Sequence, residues 1–180
     1  SRDGNRMMAT LDTPVPFPQF TLDLANDPAT VAEIPGGNGQ TGTFSAYNDN
    51  GSKILVSNDG GSVDQLRIVD SVTSAVLNPN ALGDHCAEPA WSPDGKHIAA
   101  ICGVSSPGWA FDSFSGNLVL ADVAADGFTV SNQQTIVPQG SPGRPAYPSF
   151  TPGSEWIAFG RPTYGSRSIE NGTLWLTDLT

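Results

Sequence analysis

The chain has 180 residues, 38% of them hydrophobic and 14% charged, a composition typical of a globular domain and not of a disordered segment. Its formal net charge is −10, and such a surface repels phosphate backbones and anionic membranes, which argues against nucleic-acid binding. No apolar run approaches the roughly 18 residues that a membrane-spanning helix needs, so no membrane span is predicted.

The predicted elements are all strands, because 20 glycines and 15 prolines divide the sequence into short runs and no stretch keeps a helical period. The strands fall into four groups, each with one polar hairpin turn. In the first group the turn stands at 1–5, so the strand before it would precede Ser1. The predicted strands are, in chain order, 6–10, 20–24 and 30–34; 43–47, 53–57, 65–70 and 75–77; the arms of a hairpin at 90–100, then 117–122 and 135–137; and, from about 147, the arms of a last hairpin and 172–178.

The hairpin turn is clearest in the third group, where it reads Ser-Pro-Asp-Gly at 92–95. Pro93 presets φ at the first corner, Asp94 can accept a hydrogen bond from its own backbone, and Gly95 adopts positive φ freely. Trp91 before the turn and Ile98 after it are good strand formers that can pack on one core. The hairpin therefore organises its group around one buried face.

The same turn recurs along the chain. Its glycine position is occupied by Gly4, Gly51, Gly95 and Ser154, at intervals of 44 to 59 residues. A hairpin that returns about every 40–50 residues, with strands between, is typical of a β-propeller in which each repeat forms one blade. The predicted fold is all-β, a propeller of four-stranded antiparallel blades at about 1–35, 43–77, 88–137 and 147–180.

The first and last predicted blades are incomplete. The first lacks its first strand and the last lacks its fourth, so the chain holds two complete blades and two partial ones. Propellers close with four to eight blades, and an open one exposes sheet edges. We therefore expect an arc of about four blades, belonging to a longer protein.

The two cysteines, Cys86 and Cys102, flank the central hairpin. If a three-residue turn at 93–95 pairs Ser92 with Lys96, the two thiols lie directly opposite each other on neighbouring strands, within reach of a disulfide. The alternative is a pair of buried free thiols. A disulfide would predict a periplasmic or extracellular location.

A family resemblance rests on the third group. Glu-Pro-Ala-Trp-Ser-Pro-Asp-Gly-Lys-His-Ile-Ala at 88–99, followed by Gly-Asn-Leu-Val-Leu-Ala-Asp at 116–122, resembles the repeat of TolB-type (PD40, or WD40-like) propellers. The stretch 145–178 resembles the same repeat with a long insertion. The chain departs from the pattern at Arg2, which replaces proline, and at Ser154, which replaces glycine and puts the geometry of that turn in question. The resemblance implies a propeller, often in the cell envelope, that binds proteins or accompanies an enzyme, and it carries over no catalytic residue.

Motifs that could carry chemistry have simpler interpretations. The GxGxxG pattern at 37–42 is followed by a predicted strand and not by the helix that a dinucleotide site needs. The histidines, His85 and His97, lie in a link and on a strand, and no GxSxG elbow occurs. Asn-Asp-Asn-Gly at 48–51 has a calcium-like composition without the alternate-residue spacing of a calcium loop, and it is explained as a turn. No catalytic residue, cofactor or metal is predicted.

The lengths of the connections differ between the two faces of the predicted disc. Turns between first and second strands share one face and are short. The other face receives the long connections, at 11–18, 103–116 and 160–172, and the blade links at 36–42, 78–85 and 139–144. Long ordered loops on a rigid scaffold are where binding usually occurs.

Two long connections carry residue types that dominate binding energy at protein interfaces. Against this interpretation, the aromatic rings could fold back onto the disc. The predicted partner-binding residues are Trp109, Phe111, Phe114, Arg161, Tyr164 and Arg167.

Two functions from different classes remain open. The first is a non-catalytic envelope or extracellular module that docks another protein, or a neighbouring subunit, through the long-loop face. The second is the propeller domain of a larger enzyme, such as a peptidase or a polysaccharide lyase, with its catalytic groups outside these residues. The sequence beyond Thr180 would distinguish them, since further blades favour the module and an α/β domain with a nucleophile elbow favours the enzyme.

Overall fold

A computed structural model describes residues 4–10, 19–25, 30–34, 45–58, 65–105, 115–140, 143–162 and 172–180. Every regular element in these ranges is a strand. No helix among them is long and apolar enough to cross a membrane. The strands are β1 (Arg6–Thr10), β2 (Gln19–Asp23), β3 (Thr30–Ile34), β4 (Ser45–Tyr47), β5 (Lys53–Asn58), β6 (Gln65–Asp70), β7 (Val76–Asn78), β8 (Cys86–Trp91), β9 (His97–Cys102), β10 (Asn117–Val123), β11 (Val130–Val137), β12 (Ala146–Phe150), β13 (Trp156–Arg161) and β14 (Thr173–Asp178).

The strands form four antiparallel sheets in sequence order. The first is β1-β2-β3, the second β4-β5-β6-β7, the third β8-β9-β10-β11 and the fourth β12-β13-β14. The inner strands β4 and β12 both contact β8, so the second, third and fourth sheets meet along their first strands. The predicted fold class is confirmed: the described residues form an arc of propeller blades, with three described strands in the first sheet and three in the last.

Apolar side chains from neighbouring sheets pack against each other. The cluster between the second and third sheets contains Leu55, Ile68, Trp91 and Ile98, so Trp91 and Ile98 share one core as predicted. Ile101, Leu118, Ile157 and Phe159 belong to the cluster between the third and fourth sheets. A smaller cluster, between the first and second sheets, contains Met8, Ile54 and Val69. Each fully buried leucine or isoleucine stabilises the fold by roughly 1.5–3 kcal/mol, so sheet-on-sheet packing dominates stability.

The central hairpin turn is one residue longer than predicted. The Ser92 amide donates to the carbonyl of His97 at 2.9 Å, so Ser92 pairs with His97 and not with Lys96. Within the loop, the Gly95 amide donates to the Ser92 carbonyl at 3.0 Å, with φ at Gly95 of 74°. The Ser92 hydroxyl adds two bonds, accepting from the His97 amide at 2.9 Å and donating to the Asp94 carboxylate at 2.7 Å. These bonds favour the longer loop, and the prediction of a three-residue turn is wrong.

A β-bulge restores the register that the longer turn displaces. The pairing of β8 with β9 shifts by one residue between Ala87 and Ala90, where Glu88 has φ of 52°. Beyond the bulge, Cys86 lies opposite Cys102, and the two cysteines form a disulfide. The predicted disulfide is therefore confirmed, and two opposite shifts of register, at the turn and at the bulge, bring the cysteines together.

The turn of the fourth sheet keeps the same geometry despite its serine. The Ser154 amide donates to the Thr151 carbonyl at 2.9 Å, as Gly95 does to Ser92, and Ser154 has φ of 62°. Residues other than glycine rarely adopt positive φ, because the Cβ atom then crowds the backbone and strains it. The Ser154 hydroxyl accepts a hydrogen bond from the Asp94 amide at 3.0 Å, which links the third and fourth sheets and offsets part of that strain.

A second repeated feature marks all four sheets, including the first, where the sequence resemblance is weakest. The residue that opens the second strand of each blade lies opposite an aspartate that ends or nearly ends the third strand. In three sheets this residue is basic. The pairs are Arg6–Asp23, Lys53–Asp70, His97–Asp122 and Trp156–Asp178.

Asp70 predicts a pH dependence of stability. Hydrogen bonds from the backbone and hydroxyl of Thr73 and from the backbone of Val72, with one from Lys53, lower the pKa of Asp70 from 3.8 to about 2, against the opposing effect of burial. The pKa of Asp70 is lower in the folded than in the unfolded chain. The ionised carboxylate therefore contributes fully to the free energy of unfolding above about pH 4, and this contribution is lost as pH falls toward 2. We expect Asp70→Asn to lower the free energy of unfolding by about 1 kcal/mol at pH 7. Urea unfolding should show the difference shrinking at pH 2.5, and an equal difference at both pH values would contradict this.

Candidate partner-binding face

Antiparallel pairing separates the two ends of the sheets. The turns at 48–53, 92–97 and 151–156 lie at one end, called here the turn face. Cys86, Cys102, Asn117 and Arg161 lie at the other end, where the long connections begin and finish; this end is called the loop face. The predicted binding residues belong to connections of the loop face.

Most of the predicted binding residues lie outside the described part of the chain. They are Trp109, Phe111, Phe114, Tyr164 and Arg167. The expectation that all six residues share one face therefore stays a prediction. Arg161, at the end of β13, is described, and the base from which both long connections start is described with it.

Arg161 is 9% exposed and holds the link between the third and fourth sheets. Its guanidinium donates to the carbonyls of Gly143 at 2.6 Å and Pro138 at 3.2 Å. The same group lies 5.5 Å from the centre of the Trp175 ring and 5.8 Å from that of Phe159, within the range of cation–π attraction. These contacts make Arg161 a positioning residue for the loop face. Its contact with a partner stays a prediction.

The connection at 103–116 has a fixed base. It begins directly after the disulfide, and the amides of Gly103 and Val104 both donate to the His85 carbonyl, at 2.8 and 3.1 Å. Its far end returns to the same place, because the Ser115 hydroxyl donates to the Gly103 carbonyl at 2.9 Å. Val104 is 3% exposed and packs in the core between the third and fourth sheets. Both ends of this connection are therefore tied to the rigid sheet.

Gly116 joins that base to the next link. It has φ of 144°, and a Cβ there would lie 2.5 Å from Cγ2 of Ile101, so a larger residue would not fit. The backbone N–H of Gly116 donates to the side-chain oxygen of Gln139 at 3.1 Å. The backbone N–H of Gln139 in turn donates to the side-chain oxygen of Asn117 at 2.9 Å. The start of β10 and the link near 139 are thus held as one unit.

A buried ion pair, which the sequence did not predict, completes the base. Glu88 and Arg144 are each 2% exposed. The Arg144 guanidinium donates to both carboxylate oxygens of Glu88, at 2.7 and 3.4 Å, and to the Pro145 carbonyl at 3.0 Å. The Glu88 carboxylate also accepts from the Tyr147 amide at 2.8 Å. The bulge of β8 is thereby joined to the start of β12.

The two bulges at the inner edge are a repeated device. Tyr147 has φ of 52°, the same value as Glu88, and the pairing of β12 with β13 shifts between Ala146 and Ser149. Each of the two residues is followed by proline. The sequence signal that could have located them is this residue–proline pair, set at the same distance before both hairpin turns.

The turns of the turn face carry several polar and acidic side chains. Burial alone would raise the pKa of Asp94, but hydrogen bonds from the Ser92 hydroxyl and the Lys96 amide, with the nearby charges of His97 and Lys96, hold the pKa below its usual value. His97 pairs through Nδ1 with Asp122 at 3.1 Å, at the corner common to all four sheets. Within the described ranges, no group of three or more histidine, cysteine or acidic side chains could hold a metal ion.

Comparison with solved structures assigns the fold. A protein described as TolB from Agrobacterium tumefaciens superposes with a TM-score of 0.65 at 17% identity, over 99% of this chain and 56% of that one. The hydrazine synthase of Kuenenia stuttgartiensis gives 0.60 at 14% identity, over 88% and 47%. An acylaminoacyl peptidase of Pyrococcus horikoshii gives 0.53 at 11% identity, over 97% and 29%.

At these identities the similarity shows the fold alone, which is a TolB-like β-propeller. The chain spans about half the length of the first two proteins and less than a third of the peptidase. No family model and no curated protein matches the sequence.

Proposed function

We propose that the chain is a non-catalytic binding module of a bacterial envelope or extracellular protein, belonging to the PD40-type propellers, and that it docks another protein through the loop face. The observation that carries this proposal is the construction of the base at that face. A disulfide, a buried ion pair and the Arg161 contacts all lie where the long connections begin. A rigid base of this kind supports loops that bind, because it reduces the conformational entropy lost on binding.

The proposed location follows from the disulfide. Disulfides persist in the periplasm and outside the cell, whereas cytosolic reductants keep most thiols reduced. Thiol trapping of acid-quenched cells tests this location. We expect Cys86 and Cys102 to be protected from alkylation until a reductant is added, and immediate alkylation of both would argue for the cytosol.

Site-specific photocrosslinking tests the docking face. A photoreactive phenylalanine analogue at Phe111 should yield one discrete crosslinked protein in the native cells. The same analogue at Ala125 should yield none, because Ala125 is exposed in the turn between β10 and β11, on the turn face. Crosslinks from Ala125 but not from Phe111 would place the interface on the turn face and contradict the proposal.

Once the partner is identified, alanine variants measure how much each predicted binding residue contributes to affinity. We expect Trp109→Ala or Phe111→Ala to weaken binding by about 2 kcal/mol or more, roughly 30-fold in Kd, with little change in the free energy of unfolding. Equal losses of affinity and stability would instead assign these rings to the core of the chain.

The alternative function is the propeller domain of a larger enzyme. The similarity to an acylaminoacyl peptidase, of which this chain would cover 29%, is the observation that favours it. The gene downstream of Thr180 decides between the two: an α/β domain with a nucleophile elbow would support the enzyme, and further blades would support the module.

A further inference from the structure

A cavity of about 370 Å³ opens among the turns of the second, third and fourth sheets. Its walls are mainly apolar and aromatic, from Tyr47 and Trp91 at the ends of β4 and β8 and from Pro93 and Pro152 in the following turns. The charged group that lines it is the carboxylate of Asp49. The cavity lies on the turn face, away from the surface proposed above for partner docking.

The indole N–H of Trp91 is buried and has no hydrogen-bond partner among the described residues, but it can only donate and so does not attract a cation. The remaining polar side chains of the cavity are already used by the fold. Asn48 accepts from the Lys53 amide at 3.0 Å and donates to the Ser52 hydroxyl at 3.3 Å. Ser92 bonds the His97 amide and the Asp94 carboxylate. The Tyr47 hydroxyl donates to the Met7 carbonyl at 3.1 Å. These groups shape the walls and leave little hydrogen-bonding capacity for a ligand.

Asp49 differs from them. Among the residues that the structure describes, none donates a hydrogen bond to its carboxylate and none forms an ion pair with it, although the residue is partly buried. Asp94, the acid of the next turn, is by contrast bonded by Ser92 and Lys96. A partly buried carboxylate without a partner loses hydration that nothing in the fold replaces.

Gly95 allows this carboxylate to sit where it does. A Cβ at position 95 would lie 3.0 Å from Oδ1 of Asp49, tighter than ordinary side-chain packing. The glycine therefore has two roles, since its φ of 74° also suits the turn. Asp49 therefore packs against the turn of the neighbouring blade, and none of the described residues binds its carboxylate through a hydrogen bond.

We propose that this cavity binds a guanidinium group on an apolar stem, as an arginine side chain carries. A carboxylate without a partner among the described residues, at an open cavity with largely apolar walls, favours a cation, and the net charge of −10 attracts one. A guanidinium suits these walls better than an ammonium ion, because it is planar, more weakly hydrated, stacks on aromatic faces and matches a carboxylate with two donors. A neutral or anionic ligand would leave Asp49 unpaired.

The probe that tests the proposal is arginine amide, with citrulline amide as the isostere whose side chain is neutral. We expect arginine amide to shift the amide resonances of Asp49 and Gly95 and the indole N–H of Trp91 saturably, and citrulline amide to bind at least about tenfold more weakly. Asp49→Asn should abolish this preference without changing the urea midpoint, since the Asp49 carboxylate accepts no hydrogen bond from any of the described residues.

Glu155→Gln is the matched control variant. It removes the same charge from an exposed position of the fourth turn, on the same face, but it does not line the cavity. This variant should bind arginine amide like the unchanged protein. Equal binding of the two amides, or unchanged preference in Asp49→Asn, would overturn the proposal.

Discussion

The double variant Cys86→Ala/Cys102→Ala should lose about 3 kcal/mol of unfolding free energy, because the disulfide closes a loop of about 15 residues and so restricts the unfolded chain. The two cysteines are 1% and 8% exposed, so loss of their buried sulfur atoms adds a packing cost in the same direction. A loss of this size is a large fraction of the 5–15 kcal/mol that typically separates folded from unfolded domains. Urea unfolding of both proteins measures it.

Reduction supplies the control. The unchanged protein in excess reductant should approach the midpoint of the double variant, whereas the midpoint of the double variant should not move. Amide hydrogen exchange should also rise at Gly103 and Val104, whose bonds to the His85 carbonyl lie beside the disulfide. Equal midpoints for the oxidised protein and the double variant would show that the bond does not stabilise the fold.

The strands of this chain could be predicted because its local signals agree with one another. A short run of apolar residues, such as that of β10, and a turn sequence like that at Ser92–Gly95 each favour the structure that tertiary packing also favours. Trp91 and Ile98 could be assigned to one core because both are strand formers flanking one turn. Because the units repeat, the strands predicted for the clearest unit could also be predicted for the others.

The register of the central hairpin shows where such reasoning fails. The turn gained one residue because the Ser92 side chain binds the His97 amide, and the bulge at Glu88 removed the displacement again. Glutamate rarely adopts positive φ, so Glu88 taken alone does not predict a bulge, and the signal appears only when its blade is aligned with the next one. The conformation is favoured by Arg144 and Tyr147, which lie 56 and 59 residues further along the chain.

The same limit applies to both candidate sites. Asp49 belongs to a turn sequence that accounts for its presence locally, and its place at the cavity follows from its packing against Gly95 of the next blade, 46 residues further along the chain. The type of Arg161 and its position at the start of a long connection predict an interface residue. Its burial follows from carbonyl groups of the link between sheets, which come together only in the folded arc.

Glu88→Gln should destabilise the protein by about 3–5 kcal/mol, because it leaves the buried guanidinium of Arg144 without a counter-ion. Arg144→Met should cost a similar amount by leaving the carboxylate of Glu88 uncompensated. The pair joins the third sheet to the start of the fourth, so amide hydrogen exchange should rise first in β12. Urea unfolding of the single variants measures the loss.

The double variant Glu88→Gln/Arg144→Met separates the interaction from its parts. It should cost clearly less than the sum of the single variants, because once one charge is gone, removing the other relieves an unpaired buried group. Lys96→Met is the control, since its ammonium lies 3.9 Å from Asp94 with the lysine side chain 74% exposed, and an exposed pair is worth at most about 1 kcal/mol. Strict additivity of the two buried substitutions, or single losses no larger than that of Lys96→Met, would mean that the link between the two sheets is held by packing alone.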